Sequence, residues 1–300
     1  MKQLRKRFIY FNMLVITCIM IFLTAIVVHS GRMTTSRIIM SILIVMVLVF
    51  IGSWLLSKMA ITPIKAAWQK QIDFTADASH ELRTPLSTIQ TNLDVVLSNP
   101  TATVESQLKW LKNIEAESKR MSNLVANLLL LSRADADEEI ISIEDLNLSS
   151  LLVDVISPYD TIVEQKGICM NMFIKEDVVI KGDQDRMRQL IVILLDNAIK
   201  YTDSGGEIDI SLSCDKNKVY LEISDTGIGI EQEEIKNIFN RYYRGKKSRL
   251  SNPDGSGLGL AIAKLITKEH GGTILVKSQV GEGSVFTVSL PVQRSVSFSE

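Results

Sequence analysis

The chain has 300 residues, of which 46% are hydrophobic and 22% charged, and a formal net charge of -1. These averages exclude disorder as its main state. The charge is unevenly divided, because residues 1–70 hold nine Lys and Arg and no Asp or Glu, while the remainder holds the other 24 of the 33 basic residues and all 34 acidic ones. The basic residues of the first segment flank apolar runs instead of forming one patch, so we expect no nucleic-acid partner.

The three cysteines, Cys18, Cys169 and Cys214, are far apart and lack CxxC spacing. This excludes a disulfide framework and a thiolate metal site. It fits a reducing cytosol for the part of the chain that follows residue 70.

Two uncharged stretches, residues 8–28 and 38–57, each correspond to roughly 30 Å of helix, the thickness of the hydrocarbon core of a bilayer. They predict a transmembrane hairpin over residues 1–57. Basic residues precede the first stretch and follow the second, which places both termini in the cytoplasm of a multi-pass cell-membrane protein. The alternative for the first stretch is a cleaved signal peptide.

The loop between the two predicted spans, residues 29–37, reaches only about 30 Å when fully extended. No extracytoplasmic ligand-binding domain fits there. A stimulus would therefore enter through the membrane, through this loop, or through a membrane partner such as a transporter.

A linker over residues 58–70 leads into a predicted helical hairpin over residues 71–135. Pro63 predicts a kink, and Asn99-Pro100 predicts the break between the two helices, with Thr103 capping the second. Both helices repeat apolar or small residues at steps of three and four. A single hairpin leaves this stripe unburied, so we predict that two chains pair into a homodimeric four-helix bundle.

His80 follows a seam position of the first helix and lies on the rim of the predicted bundle. Glu81 adjoins it, Thr84 lies one turn further along, and Pro85 is expected to disrupt the helix locally. A neutral imidazole can offer one nitrogen to an electrophile while an adjacent carboxylate draws the proton from the other. An ordinary solvated side chain is the alternative for an isolated surface histidine.

An acidic stretch over residues 135–145 separates the hairpin from a domain that we place at residues 146–294. Its pattern predicts an α/β sandwich with helices on one face of the sheet. The predicted elements are a helix over residues 183–201, an acidic helix over 231–239, a helix over 261–270, and strands over 207–213, 219–224, 273–278 and 284–290.

Three clusters in this domain suggest a nucleotide site: residues 196–201, 225–230 and 255–260. Free amides at a helix start, with glycines that allow close approach, can bind phosphate. Each cluster also has a purely structural interpretation, as a helix end or a turn. Neither glycine cluster completes GxGxxG, and no GxxxxGK[ST] occurs, which excludes a Walker-type ATPase.

Residues 74–86, FTADASHELRTPL, resemble the phosphoacceptor box of sensor histidine kinases. The three clusters, with residues 239–244, resemble in order and spacing the N, G1, F and G2 boxes of the superfamily that unites gyrase, heat-shock chaperone, histidine kinase and MutL ATPases. The resemblance to histidine kinases covers about residues 70–292. It implies that His80 is phosphorylated, that Glu81 is its general base, and that Thr84 positions water during dephosphorylation of a partner.

The same resemblance implies a site for ATP and Mg²⁺. Its implied roles are metal binding by Asn197, nucleotide contact by Lys200 and Tyr201, acceptance of the adenine amino group by Asp225, close approach of the base at Gly227 and Gly229, phosphate binding by Gly257 and Gly259, and charge neutralisation by Arg241 and Arg244. Residues 240–256 would form a lid. The family often has Asn where this chain has Ile193, which should weaken the metal site.

The expected protein is a membrane-anchored sensor histidine kinase that phosphorylates His80 from Mg-ATP and passes the phosphoryl group to an Asp of a cytoplasmic response regulator. Two alternatives remain open. One is a degenerate kinase that acts mainly as a phosphatase or binding protein for the regulator. The other is an ATP hydrolase of the gyrase or chaperone type.

Overall fold

The structure is a computed structural model that describes residues 35–135, 141–245 and 255–292, with seven positions between residues 14 and 25. The chain divides into two compact units, Met1–His80 and Glu81–Glu300. Helix α1, Thr35–Ser98, contributes residues to both units. Of the 21 residues of the first predicted span, fourteen lie outside the described residues. The second falls on the backbone of α1, where most side chains are not described.

Within the part of the chain that the structure describes, no helix is both long enough and apolar enough to cross a membrane. The two spans therefore stay a prediction.

Helix α1 continues through both of its prolines, so the expectation that Pro85 disrupts the helix locally is wrong. A proline removes one backbone donor from a helix. The ring of Pro85 is buried in the second unit, and this packing offsets the missing hydrogen bond. Pro63, where the sequence predicts a kink, also lies inside α1.

The predicted break in the hairpin is confirmed. Helix α2, Val104–Asp135, follows a short turn in which the Thr103 hydroxyl accepts a hydrogen bond from the Ser106 amide at 3.3 Å. The Gln107 side chain donates to the carbonyl of Asn99 at 2.9 Å and so closes the turn. Local capping therefore fixes where the second helix begins.

One polar pair joins the two helices inside the hairpin. Asn92 is 7% exposed, and its side chain donates to the Thr88 carbonyl at 2.7 Å. Asn113 of α2 donates to the Asn92 side-chain oxygen at 3.3 Å. Large apolar side chains nevertheless remain exposed on both helices. Leu86, Leu93 and Val125 belong to the predicted stripe, and Leu97 and Leu129, which lie outside it, are exposed as well.

The predicted α/β sandwich is confirmed. Its five-stranded sheet has the order β2-β4-β5-β7-β6, in which only the β2-β4 pair is parallel. The strands are β2 (Cys169–Ile174), β4 (Glu207–Cys214), β5 (Lys218–Asp225), β6 (Thr273–Gln279) and β7 (Gly283–Pro291). A separate antiparallel pair joins β1 (Glu144–Asn147) to β3 (Val179–Gly182). The helices are α3 (Leu148–Ile156), α4 (Asp160–Lys166), α5 (Gln184–Tyr201) and α6 (Gly259–Glu269).

Strict alternation in the sheet explains why helices cover one face. Every second residue of β4 and β5 is buried, and the residues between them are polar or partly exposed. Helix α5 packs against this buried face through Leu190, Ile191, Leu194 and Leu195, which are at most 1% exposed. The strands predicted at residues 207–213, 219–224, 273–278 and 284–290 are found within one residue of their predicted ends.

The acidic helix predicted over residues 231–239 is wrong, because this segment forms a series of turns. The amide of Glu234 bonds to the carbonyl of Glu231 at 2.9 Å, and that of Asn237 to Glu234 at 2.8 Å. These two bonds reach back three residues, tighter than the four of an α-helix. One bond of the segment, from the Ile235 amide to the Glu231 carbonyl at 3.2 Å, does reach back four, but it is not continued into a regular helix. Glu231 and Glu234, three residues apart, would also be neighbours on a helix and repel each other there.

We expect Leu195→Ala to destabilise the sandwich strongly. Leu195 is 0% exposed, and removing its side chain leaves a cavity worth about 2–5 kcal/mol in the free energy of unfolding. Urea unfolding followed by hydrogen–deuterium exchange of β4 measures this change. Val153→Ala is the matched control, since Val153 is 48% exposed and should change stability little. Equal effects of the two substitutions would contradict the core described here.

Candidate active site

A pocket with a volume of about 300 Å³ opens between the C-terminal end of α5, the loop after β5 and the first turn of α6. The three clusters predicted from the sequence meet in this pocket. Eight of the predicted nucleotide residues line it: Asn197, Lys200, Tyr201, Asp225, Gly229, Arg244, Gly257 and Gly259. Residues that are distant in sequence thus form one concave surface.

Asp225 is a buried carboxylate in the wall of the pocket, only 7% exposed. Its Oδ1 accepts a hydrogen bond from the Gly227 amide at 2.9 Å. Burial raises the pKa of Asp225 to about 6, although the amides of Gly227 and Ser284 oppose this shift. A buried carboxylate with an oxygen towards a pocket can accept a hydrogen bond from a bound base.

Glycine is required twice in the loop after β5. A Cβ atom on Gly227 would overlap the carbonyl of Tyr201, and one on Gly229 would overlap the carbonyl of Gln279. Gly229 also has a φ of +66°, which side chains rarely tolerate. The Ile228 amide between them donates to the Tyr201 carbonyl at 3.2 Å. The loop is therefore held tightly against the end of α5.

The other end of the pocket is suited to anions. Helix α6 begins at Gly259, two residues before the predicted start, so its first amides face the glycine loop. Gly257 has a φ of +69°. A Cβ atom on Gly255 would lie 3.0 Å from the Lys200 ammonium group. A cation and free backbone amides therefore converge at this loop.

Helix α5 also carries oxygen ligands at this end of the pocket. Asn197 and Asp196 both line it, and Asp196 Oδ1 accepts a hydrogen bond from the Tyr159 hydroxyl at 2.9 Å. Partial burial raises the pKa of Asp196, and burial together with this bond raises the pKa of Tyr159. Ile193, one turn earlier, presents an apolar side chain to the pocket, with its Cγ2 3.3 Å from a Cβ placed on Gly259.

Two predicted nucleotide residues do not line the pocket. Gly227 is part of the loop after β5, but it faces the backbone of Tyr201 and not the pocket. The Arg241 guanidinium donates to the carbonyl of Leu131 in helix α2 at 3.3 Å. Most of the predicted lid, residues 246–254, lies outside the described residues.

The sequence missed several lining residues. Ser284 and Phe286 come from β7, where every second side chain points inwards, and nothing in their local pattern marks them as functional. Glu231 and Glu234 come from the segment wrongly predicted as a helix. Strand pairing of β7 with β5 could have signalled Ser284, since it lies directly opposite Asp225.

His80 is exposed on helix α1, as its place on the rim predicts. The following residue, Glu81, is half-buried and opens the second unit. Thr84 is exposed, and its carbonyl accepts a hydrogen bond from the Thr88 hydroxyl at 3.2 Å. A histidine with this exposure can be reached by a reactive group from solvent.

Two families match the chain over separate ranges. Residues 70–137 match the His Kinase A (phospho-acceptor) domain, and residues 182–294 match the histidine kinase-, DNA gyrase B- and HSP90-like ATPases. The chain therefore contains the two domains of a sensor histidine kinase. Sequence relatives are described as a sensor histidine kinase or as sensor proteins.

Sensor histidine kinase RppB of Synechocystis is 35% identical over 250 residues, which cover 82% of this chain and 54% of the relative. The chain thus spans about half the length of the curated relatives it matches. Among solved structures, the Acinetobacter baumannii histidine kinase AdeS has a TM-score of 0.58 at 25% identity, over 72% of this chain and 98% of the other. Full-length ShkA in complex with AMPPNP has a TM-score of 0.56 at 25% identity, over 74% and 46%.

We expect Gly229→Ala to abolish tight nucleotide binding, because the added Cβ overlaps the Gln279 carbonyl and pushes the loop out of place. Titration with a fluorescent ATP analogue should show at least a tenfold loss of affinity. Gly205→Ala is the matched control: its φ is +85°, but its Cβ meets nothing within 4 Å. Both variants carry backbone strain of about 1–3 kcal/mol, and only the first should lose nucleotide. Equal losses of nucleotide affinity in the two variants would show that backbone strain alone, and not the overlap with the Gln279 carbonyl, weakens binding.

Proposed function

We propose that this chain is a membrane-bound, homodimeric sensor histidine kinase that phosphorylates His80 from Mg-ATP and passes the phosphoryl group to an Asp of a response regulator. The observation that carries the proposal is the pocket itself. It joins a buried carboxylate, a cation and a glycine loop in the chain that also carries an exposed histidine followed by a carboxylate.

Asp225 recognises the adenine ring. Its ionised carboxylate accepts a hydrogen bond from the adenine amino group, and the backbone at Gly227 and Gly229 lets the base lie close to the loop. Ile228 and Phe286 supply apolar surface for the base. The complex of ShkA with AMPPNP, an ATP analogue, supports a nucleotide in this fold.

The glycine loop and Lys200 hold the phosphates, with Arg244 from the edge of the pocket. Mg²⁺ binds oxygen ligands, keeps several water ligands and is usually also coordinated by substrate phosphates. Asn197 offers an amide oxygen and Asp196 a carboxylate, so the residues fit such an ion. When bound, Mg²⁺ neutralises charge on the transferring phosphate.

The transfer itself needs positioning more than covalent chemistry from the protein. One nitrogen of the neutral His80 ring attacks the γ-phosphorus, the P–N bond forms, and the P–O bond to ADP breaks. Glu81 takes the proton from the other ring nitrogen. Thr84 orients a water when the kinase dephosphorylates its regulator.

The dimer and the membrane anchor complete the proposal. Exposed apolar side chains along both hairpin helices support pairing with a second copy. The two long uncharged stretches and the surrounding basic residues support a cell-membrane anchor with both termini in the cytoplasm. The short loop between them favours signal entry through the spans or through a membrane partner such as a transporter.

A second candidate is a degenerate kinase that serves mainly as a phosphatase for its regulator. Ile193 favours it, because an apolar side chain faces the pocket one turn before Asn197. A simple ATP hydrolase is less well supported, since it would not need the histidine of the hairpin.

Incubation of the full chain with γ-labelled ATP should give an acid-labile, alkali-stable label that is lost in His80→Gln. The substitution removes the only proposed acceptor and leaves the pocket intact, so nucleotide affinity should stay unchanged. Free phosphate without labelled protein would support the hydrolase. Absence of label, together with Thr84-dependent dephosphorylation of a regulator, would support the degenerate kinase.

Nucleotide affinity should fall as the pH drops through about 6, the pKa of Asp225. The ionised form is the acceptor for adenine, and protonation removes it. At pH 5 about 90% of the carboxyl is protonated, so affinity should fall about tenfold relative to pH 7.5. Asp225→Asn, measured over the same range, removes the titration and controls for protonation of ATP. An unchanged pH profile in this variant would contradict the role of Asp225.

A further inference from the structure

One stripe of helix α5 faces the nucleotide pocket. Four residues of this stripe line the pocket: Ile193, Asp196, Asn197 and Lys200. Steps of three and four residues place them on one face of the helix. Asp196 and Asn197 offer oxygen atoms and Lys200 offers a cation, whereas Ile193 offers no polar group. The stripe therefore changes from apolar to polar one turn before Asn197.

The apolar end of the stripe cannot hold a metal ion. The Ile193 side chain has no oxygen, and it packs partly against the hydrophobic core of the domain. Mg²⁺ at a nucleotide site usually takes one or two protein oxygen ligands besides phosphate oxygens and water. In this stripe, Asp196 and Asn197 are the residues that can supply them.

The carboxylate of Asp196 is held by a partner outside α5. The Tyr159 hydroxyl donates a hydrogen bond to its Oδ1 at 2.9 Å. Among the described residues, Oδ2 accepts no hydrogen bond. Asp196 is also exposed, so an ion can reach it. One oxygen is therefore fixed by the protein, and the other stays available as a ligand.

The position of the Tyr159 hydroxyl is set by the fold. Tyr159 ends the 3₁₀ turn Ser157–Tyr159, which links α3 to α4. Pro158 restricts the backbone of this turn. The ring of Tyr159 is half-buried and packs against the hydrophobic core. Core packing thus places the hydroxyl, and the hydroxyl places the carboxylate.

A second tyrosine–aspartate pair shows the same contact in a purely structural setting. The Tyr220 hydroxyl donates to Asp215 Oδ2 at 3.2 Å, in the hairpin between β4 and β5. The other oxygen of Asp215 accepts hydrogen bonds from the amides of Asn217 and Lys218, and so closes the turn. Neither Tyr220 nor Asp215 lines the nucleotide pocket. Asp196 differs because it lines the pocket and keeps one oxygen available.

We propose that Tyr159 is a positioning residue that holds the Asp196 carboxylate as an oxygen ligand for the metal of a metal–nucleotide complex, and that this pair offsets the apolar Ile193. The proposal rests on the proposed kinase function. The charge of Asp196 repels the phosphates of metal-free ATP and attracts the cation of the metal complex. The pair therefore makes the pocket select the metal complex over free ATP.

The first test measures the affinity of the full chain for a fluorescent ATP analogue, with saturating Mg²⁺ and with EDTA. Tyr159→Phe should lower the affinity in Mg²⁺ about tenfold, because a residue that orients a metal ligand commonly contributes this much to metal affinity. The affinity in EDTA should stay unchanged, since the charge of Asp196 is retained. Tyr220→Phe is the matched control: it removes the same hydroxyl from a pair outside the pocket and should change neither affinity.

A double-mutant cycle tests whether Tyr159 acts through Asp196. Asp196→Ala should lower the affinity in Mg²⁺ about tenfold and raise the affinity in EDTA, because the ligand and its negative charge are both removed. Adding Tyr159→Phe to Asp196→Ala should cause no further loss, since the two side chains act as one unit. Additive losses in Mg²⁺ would overturn the positioning role.

Ile193→Asn tests whether the pair offsets the apolar residue. This variant places an amide oxygen one turn before Asn197, so Tyr159→Phe should cost little affinity in its background. A full tenfold loss there would overturn the offset. Thermal unfolding checks that the Ile193→Asn variant is folded, and the cycle with Asp196→Ala decides the proposal if it is not.

The outcomes separate this proposal from the proposed function. If the wild-type chain binds the analogue equally well in Mg²⁺ and in EDTA, the proposed use of Mg-ATP fails. If the wild type depends on Mg²⁺ and Tyr159→Phe keeps the full dependence, the positioning role is wrong while the kinase stands. Equal losses in Mg²⁺ and in EDTA would also overturn this role, because Tyr159 would then support only the fold.

Discussion

The hydrogen bond from the Ile228 amide to the Tyr201 carbonyl joins the two parts of the nucleotide pocket. It fixes the loop after β5 against the last turn of α5, and it is made where Gly227 leaves no room for a side chain. This carbonyl belongs to the last residue of α5, a helix whose apolar face packs into the core of the domain. Packing of the core therefore sets the position of the loop, and the loop sets the position of the Asp225 carboxylate.

This arrangement is compatible with the proposed binding of a polyphosphate by an acidic part of the chain. In the proposed complex the groups that face phosphate are backbone amides and a few cations, whose electrostatic fields act only over short distances. Residues beyond 70 carry an excess of acid, yet the phosphate end has Lys200 and the glycine loop at close range. The net charge of a domain therefore says little about the ligand that one of its pockets selects.

The sequence predicted the sandwich because each long strand alternates strictly and one helix has a continuous apolar face. It missed β1 and β3, which have four residues each, too few to show a period. It also missed helices α3 and α4 and strand β2, whose burial does not alternate strictly. The error over residues 231–239 arose because acidic and apolar residues recur there at helical spacing, while the backbone forms turns. Arg241 was assigned to the nucleotide from its motif, and only the fold shows that it contacts Leu131.

Short motifs located the nucleotide pocket well, because the glycines and the carboxylate that shape it lie within short stretches of the sequence. The pair of Tyr159 and Asp196 was not foreseen, since Tyr159 comes from the turn between α3 and α4 and Asp196 from α5. No single stretch of sequence carries its signature. Its recognition depended on knowing which parts of the chain pack together.

The amide pair in the hairpin limits how a signal can move its helices. Asn92 is nearly buried, and in this alignment of the two helices its side-chain oxygen accepts a hydrogen bond from Asn113. Sliding α1 by a turn relative to α2 would leave a buried amide without that partner, which costs free energy. The pair therefore favours the alignment of the two helices that the structure has over alignments displaced along the helix axes.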